Sequence, residues 1–470
     1  VYKRQARSQR GAFGSGDDFE LGGRVSASGQ SVNGGSQLGA AINGGNRHHR
    51  LHLSAMTESG DDAEFAGGEI LPTEYERQRI DAGYRFRSGG HTLQLNYSYN
   101  DTGEAGTPAL PMDIDYFEGD LYSVDYRFEI NSDLSVEARL YGSELDHGMT
   151  NFHLRQAPPP ARQRRNIASS DNLGFALVTD WRDASGSWVF GFDGFGSSHN
   201  SDIDNPNNPM FYVVNFNDAE REVLGIFLER QHRFDQHWRG EFGLRYNEVS
   251  MDADQVDGTP ATMPPGQALR DAFNAADRER TDDNFDLVAK GWYRVSSDLE
   301  LYAGLAQKHR SPAYQERYLW LPMEATGGLA DGNTYTGNIR LDPEVSRQLE
   351  LGLDFDRGNL TLSPRLFYSD VKDYIQGTPS ELAPALMLVQ MMNNMNGTNN
   401  PPPLQFNNVD AELYGFDMDW AWRFSERWSL SGIVNYVRGK RADISDNLYR
   451  IAPPNTSLRL EYRGLNWSAG

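Results

Sequence analysis

The chain holds 470 residues with no cysteine, a formal net charge of -22 at pH 7 and a mean hydropathy of -0.65. Disulfides and thiolate metal sites are therefore excluded within it, and so acidic a balance argues against nucleic acid as a partner. No apolar run approaches the ~20 residues that a membrane-spanning helix needs, which excludes insertion as helices.

Residues 1–17, with Lys3, Arg4, Arg7 and Arg10 followed by glycines, read as a connector. Stretches 21–33, 36–43 and 50–56 read as moderate strands, followed by a longer connection to about residue 74. From there a hairpin pattern repeats. Stretches 75–86 and 92–100 join at Arg87, Ser88, Gly89 and Gly90, with Leu93, Leu95, Tyr97 and Tyr99 on one face. The pattern is clearest over 120–149. Tyr122, Val124, Tyr126, Phe128 and Ile130 alternate there with Ser123, Asp125, Arg127 and Glu129. After a turn at Asn131, Ser132 and Asp133, Leu134, Val136, Ala138 and Leu140 alternate with Ser135, Glu137 and Arg139. Period-2 alternation makes a strand with one apolar and one polar face, and the tight turn makes the pair an antiparallel hairpin. Comparable pairs are 173–181 with 188–196, 222–234 with 238–248, 285–295 with 299–307, 348–355 with 360–368 and 413–424 with 428–436; 455–462 begins another.

The links alternate between tight turns and long stretches at 102–117, 148–170, 201–217, 253–281, 310–344 and 374–406. Short turns on one side, long loops on the other and strands of ten or more residues with one charged face are the marks of an outer-membrane barrel. Strands of a soluble sandwich or propeller run only about five or six residues. The expected fold class is all-β, an antiparallel transmembrane β-barrel of the plugged-transporter type. That type has roughly 22 strands, of which about eighteen are counted here, so the segment is read as a fragment of a barrel over 18–470. Trp181, Trp188, Trp238, Trp292, Trp420, Trp422 and Trp428 near strand ends are expected to form interfacial girdles. Glu137, Arg139, Arg239, Glu241, Arg245, Lys290, Arg294, Glu350, Asp354, Asp417 and Asp419 are expected to face the lumen.

From about Leu21 onward the chain resembles the barrel portion of TonB-dependent outer-membrane receptors. The most family-like stretches are 309–320 (HRSPAYQERYLW), 341–344 (LDPE) and 348–352 (QLELG). The resemblance implies active uptake across the outer membrane, with energy from a TonB–ExbB–ExbD complex acting through an amino-terminal plug that has no counterpart in these residues. Within the family, 146–152 (DHGMTNF) followed by Leu154 and Arg155 resembles the copper-receptor branch. There a His-x-Met supplies metal ligands from the barrel, and the plug supplies a Cys and a Met. Carried over, the barrel ligands are His147 and Met149. Both share the odd parity of Glu137 and Arg139, and imidazole with thioether favours copper, Cu(I) above all. By spacing alone, two ligands do not define a site.

Nine of the 12 methionines (Met112, Met149, Met210, Met263, Met323, Met387, Met391, Met392 and Met395) fall in expected loops. Residues 387–395 read as a short loop helix burying an apolar stripe. His48, His49 and His52 read as a solvated patch. Arg162, Arg164 and Arg165 are candidates to grip an anionic chelate, with a solvated loop as the plainer reading. Asp202, Asp204, Asn205, Asn207 and Asn208 suggest a hard-cation site but lack a fixed ligand spacing. No catalytic set stands out, so the chain is read as a non-enzyme without a resident cofactor. Three functions follow: uptake of copper, uptake of a siderophore or other iron chelate by the same machinery, or a passive porin or surface-binding barrel. Outer-membrane lipid and a metal or metal chelate are the expected contacts.

Overall fold

The computed structural model describes residues 13–470 except 328. Residues 1–12 of the expected connector lie outside the described residues. Of the rest of that stretch, the Phe13 ring lies under the guanidinium groups of Arg87, Arg50 and Arg85, at 4.0, 5.6 and 5.8 Å.

The chain begins with Glu20–Gly29 (β1), Ser36–Gly45 (β2) and His49–Gly60 (β3), then a small hairpin of Ala63–Phe65 (β4) and Gly68–Ile70 (β5). Tyr75–Ser88 (β6), His91–Ala105 (β7), Asp113–Glu129 (β8), Leu134–Thr150 (β9), Arg165–Asp183 (β10) and Gly186–Asp204 (β11) follow. Next come Tyr212–Phe216 (β12), Glu220–Arg233 (β13), Trp238–Asp252 (β14), helix Pro264–Ala275 (α1), Arg280–Arg294 (β15) and Leu299–Arg310 (β16). The remainder is Tyr314–Tyr318 (α2), Glu324–Gly327 (α3), Tyr335–Thr336 (β17), Glu344–Asp356 (β18), Leu360–Pro379 (β19), Ala383–Asn396 (α4), Leu404–Trp422 (β20), Trp428–Arg441 (β21), Asn455–Arg463 (β22) and Ser468–Ala469 (β23).

All but β4 and β5 belong to one 21-stranded sheet. Each long strand pairs antiparallel with the next, while the short β12 adds to β11 and the two-residue β17 lies parallel to β20. Without those two additions and the two-residue β23, the wall has about eighteen strands, as the alternation pattern led us to expect. Among the described residues no pairing joins β1 to β22 or β23, so these strands are the edges of an open, curved wall. Because neighbours are antiparallel, every long link falls on one rim and every tight turn on the other.

The wall's two faces obey the alternation. Leu224, Ile226 and Leu228 of β13 and Phe242, Leu244 and Tyr246 of β14 are exposed apolar side chains on the outer face. The intervening residues carry charge and pair with each other: Lys290 with Glu241 at 2.8 Å, Arg239 with Glu300 at 2.7 Å, Arg139 with Asp125, and Arg365 with Asp354 at 2.8 Å. Arg245 of β14 reaches Asp193 of β11 at 2.6 Å across the intervening β13. It passes over Gly225, where an added Cβ would stand 2.3 Å from the Arg245 Nη2. A side chain there would compete with the guanidinium for the same space.

Three expectations need correction. Trp292 does not join the outer girdle; it lies on the lumen face under the Arg239 guanidinium, 4.1 Å away, because it shares the parity of Lys290. Several strands run well past the expected boundaries, β11 to Asp204 and β19 to Pro379 among them. Beyond the bilayer both faces meet water or loops, so the backbone ladder continues while the apolar–polar alternation fades. Loop 253–281 also contains α1, whose Leu269 and Phe273 are buried one turn apart. The expected helix over 387–395 is present as α4, which buries Ala385, Leu388 and Val389.

The dry core sits at the long-loop rim, among the loops and the ends of the strands that carry them. Val213, Phe216, Tyr318, Leu319, Trp320 and Leu321 form one buried cluster with residues of α1, α4 and β20. At its centre Arg317, 1% exposed, donates to both carboxylate oxygens of Asp282 at 2.8 and 3.0 Å and to the Leu341 carbonyl. The Trp320 indole donates to the Val214 carbonyl at 3.0 Å. The loops are thus a folded cap rather than loose connections.

Three outcomes are expected. Leu244→Arg places a cation against lipid near mid-depth and should cost ~2–4 kcal/mol in urea unfolding from phospholipid vesicles. Glu241→Gln, which removes only a half-exposed lumen pair, should cost about 1 kcal/mol or less. Arg317→Ala leaves Asp282 charged and buried, a loss of ~3–5 kcal/mol from the cap. Hydrogen exchange should then speed up at residues 318–321 and stay unchanged in the turns of the opposite rim.

Candidate metal site on the lumen wall

β9 carries His147 and Met149 close to its end at the long-loop rim, on the same face as Arg139. In the ladder His147 stands between Phe117 of β8 and Ala168 of β10, and Met149 stands between Ile114 and Asn166. Alternate residues of one strand are about 7 Å apart, so the two side chains can close on one ion from the same wall. Gly148 between them points to the outer face, where the Tyr116 ring leaves no room for a Cβ: the nearest ring carbon is 2.3 Å from where it would sit.

The donors are held in a partly dry setting. Both are half-buried, and the His147 ring makes no hydrogen bond among the described residues. Asn166 beside Met149 donates to the Ser201 hydroxyl of β11 at 3.0 Å, which ties β10 to β11 at this level. Two residues further along β11, on the lumen face, is His199. Its ring packs against Tyr314 of the cap with centroids 4.5 Å apart and against Phe216 at 5.7 Å. The sequence reading did not single out His199, because only the β9–β10–β11 register brings a residue so distant in sequence to this level of the wall. The ladder therefore provides two imidazoles and one thioether on one stretch of lumen wall beneath the cap.

The other candidates separate. His48 bonds the Arg87 carbonyl at 3.0 Å, His49 the Tyr84 hydroxyl at 2.9 Å and His52 the Asn43 side chain at 2.7 Å, so that cluster is spent on separate structural bonds. Asp204 pairs with Arg165 at 2.6 Å, Asn205 donates to the Pro160 carbonyl at 3.0 Å, and Asn207 donates to Gln163 at 2.6 Å, which disperses the supposed hard-cation set. With Arg165 so engaged, Arg162 and Arg164 remain. They line a cavity of about 100 Å³ between the loops together with Met112, Met323, Met392 and Asn400. The Arg164 guanidinium lies 3.8 Å over the Phe211 ring, and burial and the neighbouring Arg162 hold its pKa below the usual arginine value. Neither arginine pairs with a carboxylate among the described residues. Of the loop methionines, Met112, Met323 and Met392 share that cavity, whereas Met210 and Met395 are 79% and 72% exposed.

No curated protein sequence matches the chain. Solved structures do. The copper transporter OprC aligns with a TM-score of 0.78 at 22% identity, over 98% of this chain and 69% of that one. The hemophore receptor HasR of Serratia marcescens, solved with its hemophore HasA and heme, aligns at 0.70 and 15% identity, over 97% of this chain and 72% of that one. The ferric yersiniabactin uptake receptor FyuA of Yersinia pestis aligns at 0.64 and 13% identity, over 96% and 66%. The chain thus spans about two thirds of the length of these proteins, and likenesses at such identities carry the fold. A family model described as TonB dependent receptor-like, beta-barrel matches residues 17–470. Strand parity, one-sided long loops and that match over nearly the whole length lead to one conclusion: the chain belongs to the TonB-dependent receptor β-barrel family.

Proposed function

We propose that this barrel is the wall of an outer-membrane transporter that takes up copper. The observation that carries the reading is the placement of His147 and Met149 side by side on the lumen face, half-buried beneath a folded cap. Imidazole plus thioether is a soft-leaning pair that suits Cu(I) and disfavours hard ions. Two donors from one wall leave the opposite coordination positions to a plug, which on this reading precedes the barrel and couples it to the TonB–ExbB–ExbD complex. The buried core across the long-loop rim favours gated uptake over a passive pore.

A second reading rests on a different observation. Arg162 and Arg164, without carboxylate partners and facing one cavity, suit an anionic chelate such as a siderophore, since guanidinium groups bind carboxylates in paired geometry. In that case the His-x-Met is incidental.

In a receptor carrying the plug that this reading requires, His147→Ala with Met149→Ala should lower copper affinity at least tenfold, about 1.4 kcal/mol. Elemental analysis of purified protein would report it, with the barrel still folded by its heat-shifted migration on gels. Unchanged copper in that variant would overturn the copper reading, and loss of ferric-chelate uptake on Arg162→Ala with Arg164→Ala would establish the alternative.

A further inference from the structure

Outside the His147–Met149 pair, Glu104, Asp115 and His153 bring one ligand atom each to within 4.8 Å of one another. They come from three segments: the end of β7, the start of β8 and the loop after β9. Asp115 is the extra residue of a bulge in β8. Its neighbours Ile114 and Tyr116 pair with Met149 and Gly148, while Asp115 itself has no partner opposite. The bulge leaves Asp115 without a register partner, and the His153 Nδ1 meets its carboxylate at 2.6 Å.

The surroundings are short of positive charge. Arg155, the cation nearest His153 in sequence, donates to both oxygens of Asp113, at 2.6 Å each. Arg165, within electrostatic reach of Asp115, forks onto Asp204. Glu104 makes no hydrogen bond or ion pair among the described residues. Nearby Glu74 has its pKa raised by burial and by the carboxylates of Asp62, Glu104, Asp61 and Asp113. Among the described residues, neither Glu104 nor Asp115 forms an ion pair with an arginine or lysine.

We propose that Glu104, Asp115 and His153 form a second metal site, taking a divalent ion of the zinc(II) or copper(II) class. Two carboxylates and one imidazole, with a fourth position left to water, are a borderline-hard set, unlike the soft pair on the lumen wall. A tetrahedral ion about 2.0–2.2 Å from each donor holds the donors roughly 3.4 Å apart. Exposed side chains reach that spacing by closing slightly. In the empty site the His153 Nδ1–H faces the Asp115 carboxylate; on binding, the ring changes tautomer, its proton passing to Nε2, and the Nδ1 lone pair turns to the ion. The site stands at the rim within one strand position of Met149, so an ion held there waits at the mouth. The inference does not rest on the copper reading.

The test uses the full natural protein carrying His147→Ala and Met149→Ala, so that the lumen pair is silent, and Zn(II) as the probe. One equivalent of Zn(II) should bind by calorimetry, and adding Asp115→Asn with His153→Ala should weaken it at least tenfold. Zinc-edge X-ray absorption should show one imidazole and only oxygen otherwise. No Zn(II) bound to the silent background, binding unchanged by the second pair of substitutions, or sulfur in the coordination shell would each overturn the proposal.

Discussion

The structure depends on one constraint: within lipid, every backbone N–H and C=O must find its partner inside the protein. A continuous antiparallel ladder meets it, and once the ladder exists every second side chain is committed to lipid and every other to the lumen. The Arg245–Asp193 pair over Gly225 and the Lys290–Glu241 pair follow from that commitment. Partly exposed pairs of this kind contribute about 1 kcal/mol or less each. Their effect is to give the lumen a fixed pattern of charge.

Stability of a different kind resides at the long-loop rim. The wall buries little of its apolar surface against protein, since its outer face is meant for lipid, whereas the cap buries Tyr318, Leu319, Trp320 and Leu321 almost completely. It also buries an ion pair, Arg317–Asp282, which is costly to desolvate and more costly to break. Such a pair fixes α2 to β15 in one arrangement. The cap in turn places Tyr314 against His199 and so roofs the stretch of wall that carries His147 and Met149.

On the readings proposed above, the same rim would sort metal donors by hardness. Beneath the cap lie imidazole and thioether; at the bulge of β8 lie carboxylates and an imidazole. One strand register links the two, since β8 meets β9 at Ile114–Met149 on one side of the bulge and at Tyr116–Gly148 on the other.

The sequence by itself determined the wall. Alternation over stretches such as 120–149 fixes strand, face and hairpin together, because a shift of one residue would turn every charge toward lipid. The parity of His147 and Met149 was legible for the same reason. The tertiary structure alone decided what lies beyond the bilayer. There the alternation fades, so the true reach of β11 and β19 and the helix α1 escaped the pattern. Trp292 shows that an aromatic near a strand end is not thereby on the outer face; parity decides it. His199 beside the His-x-Met, and Glu104 and Asp115 beside His153, meet only through strand register and a bulge. Those are contacts between residues far apart in sequence, and no local periodicity encodes them.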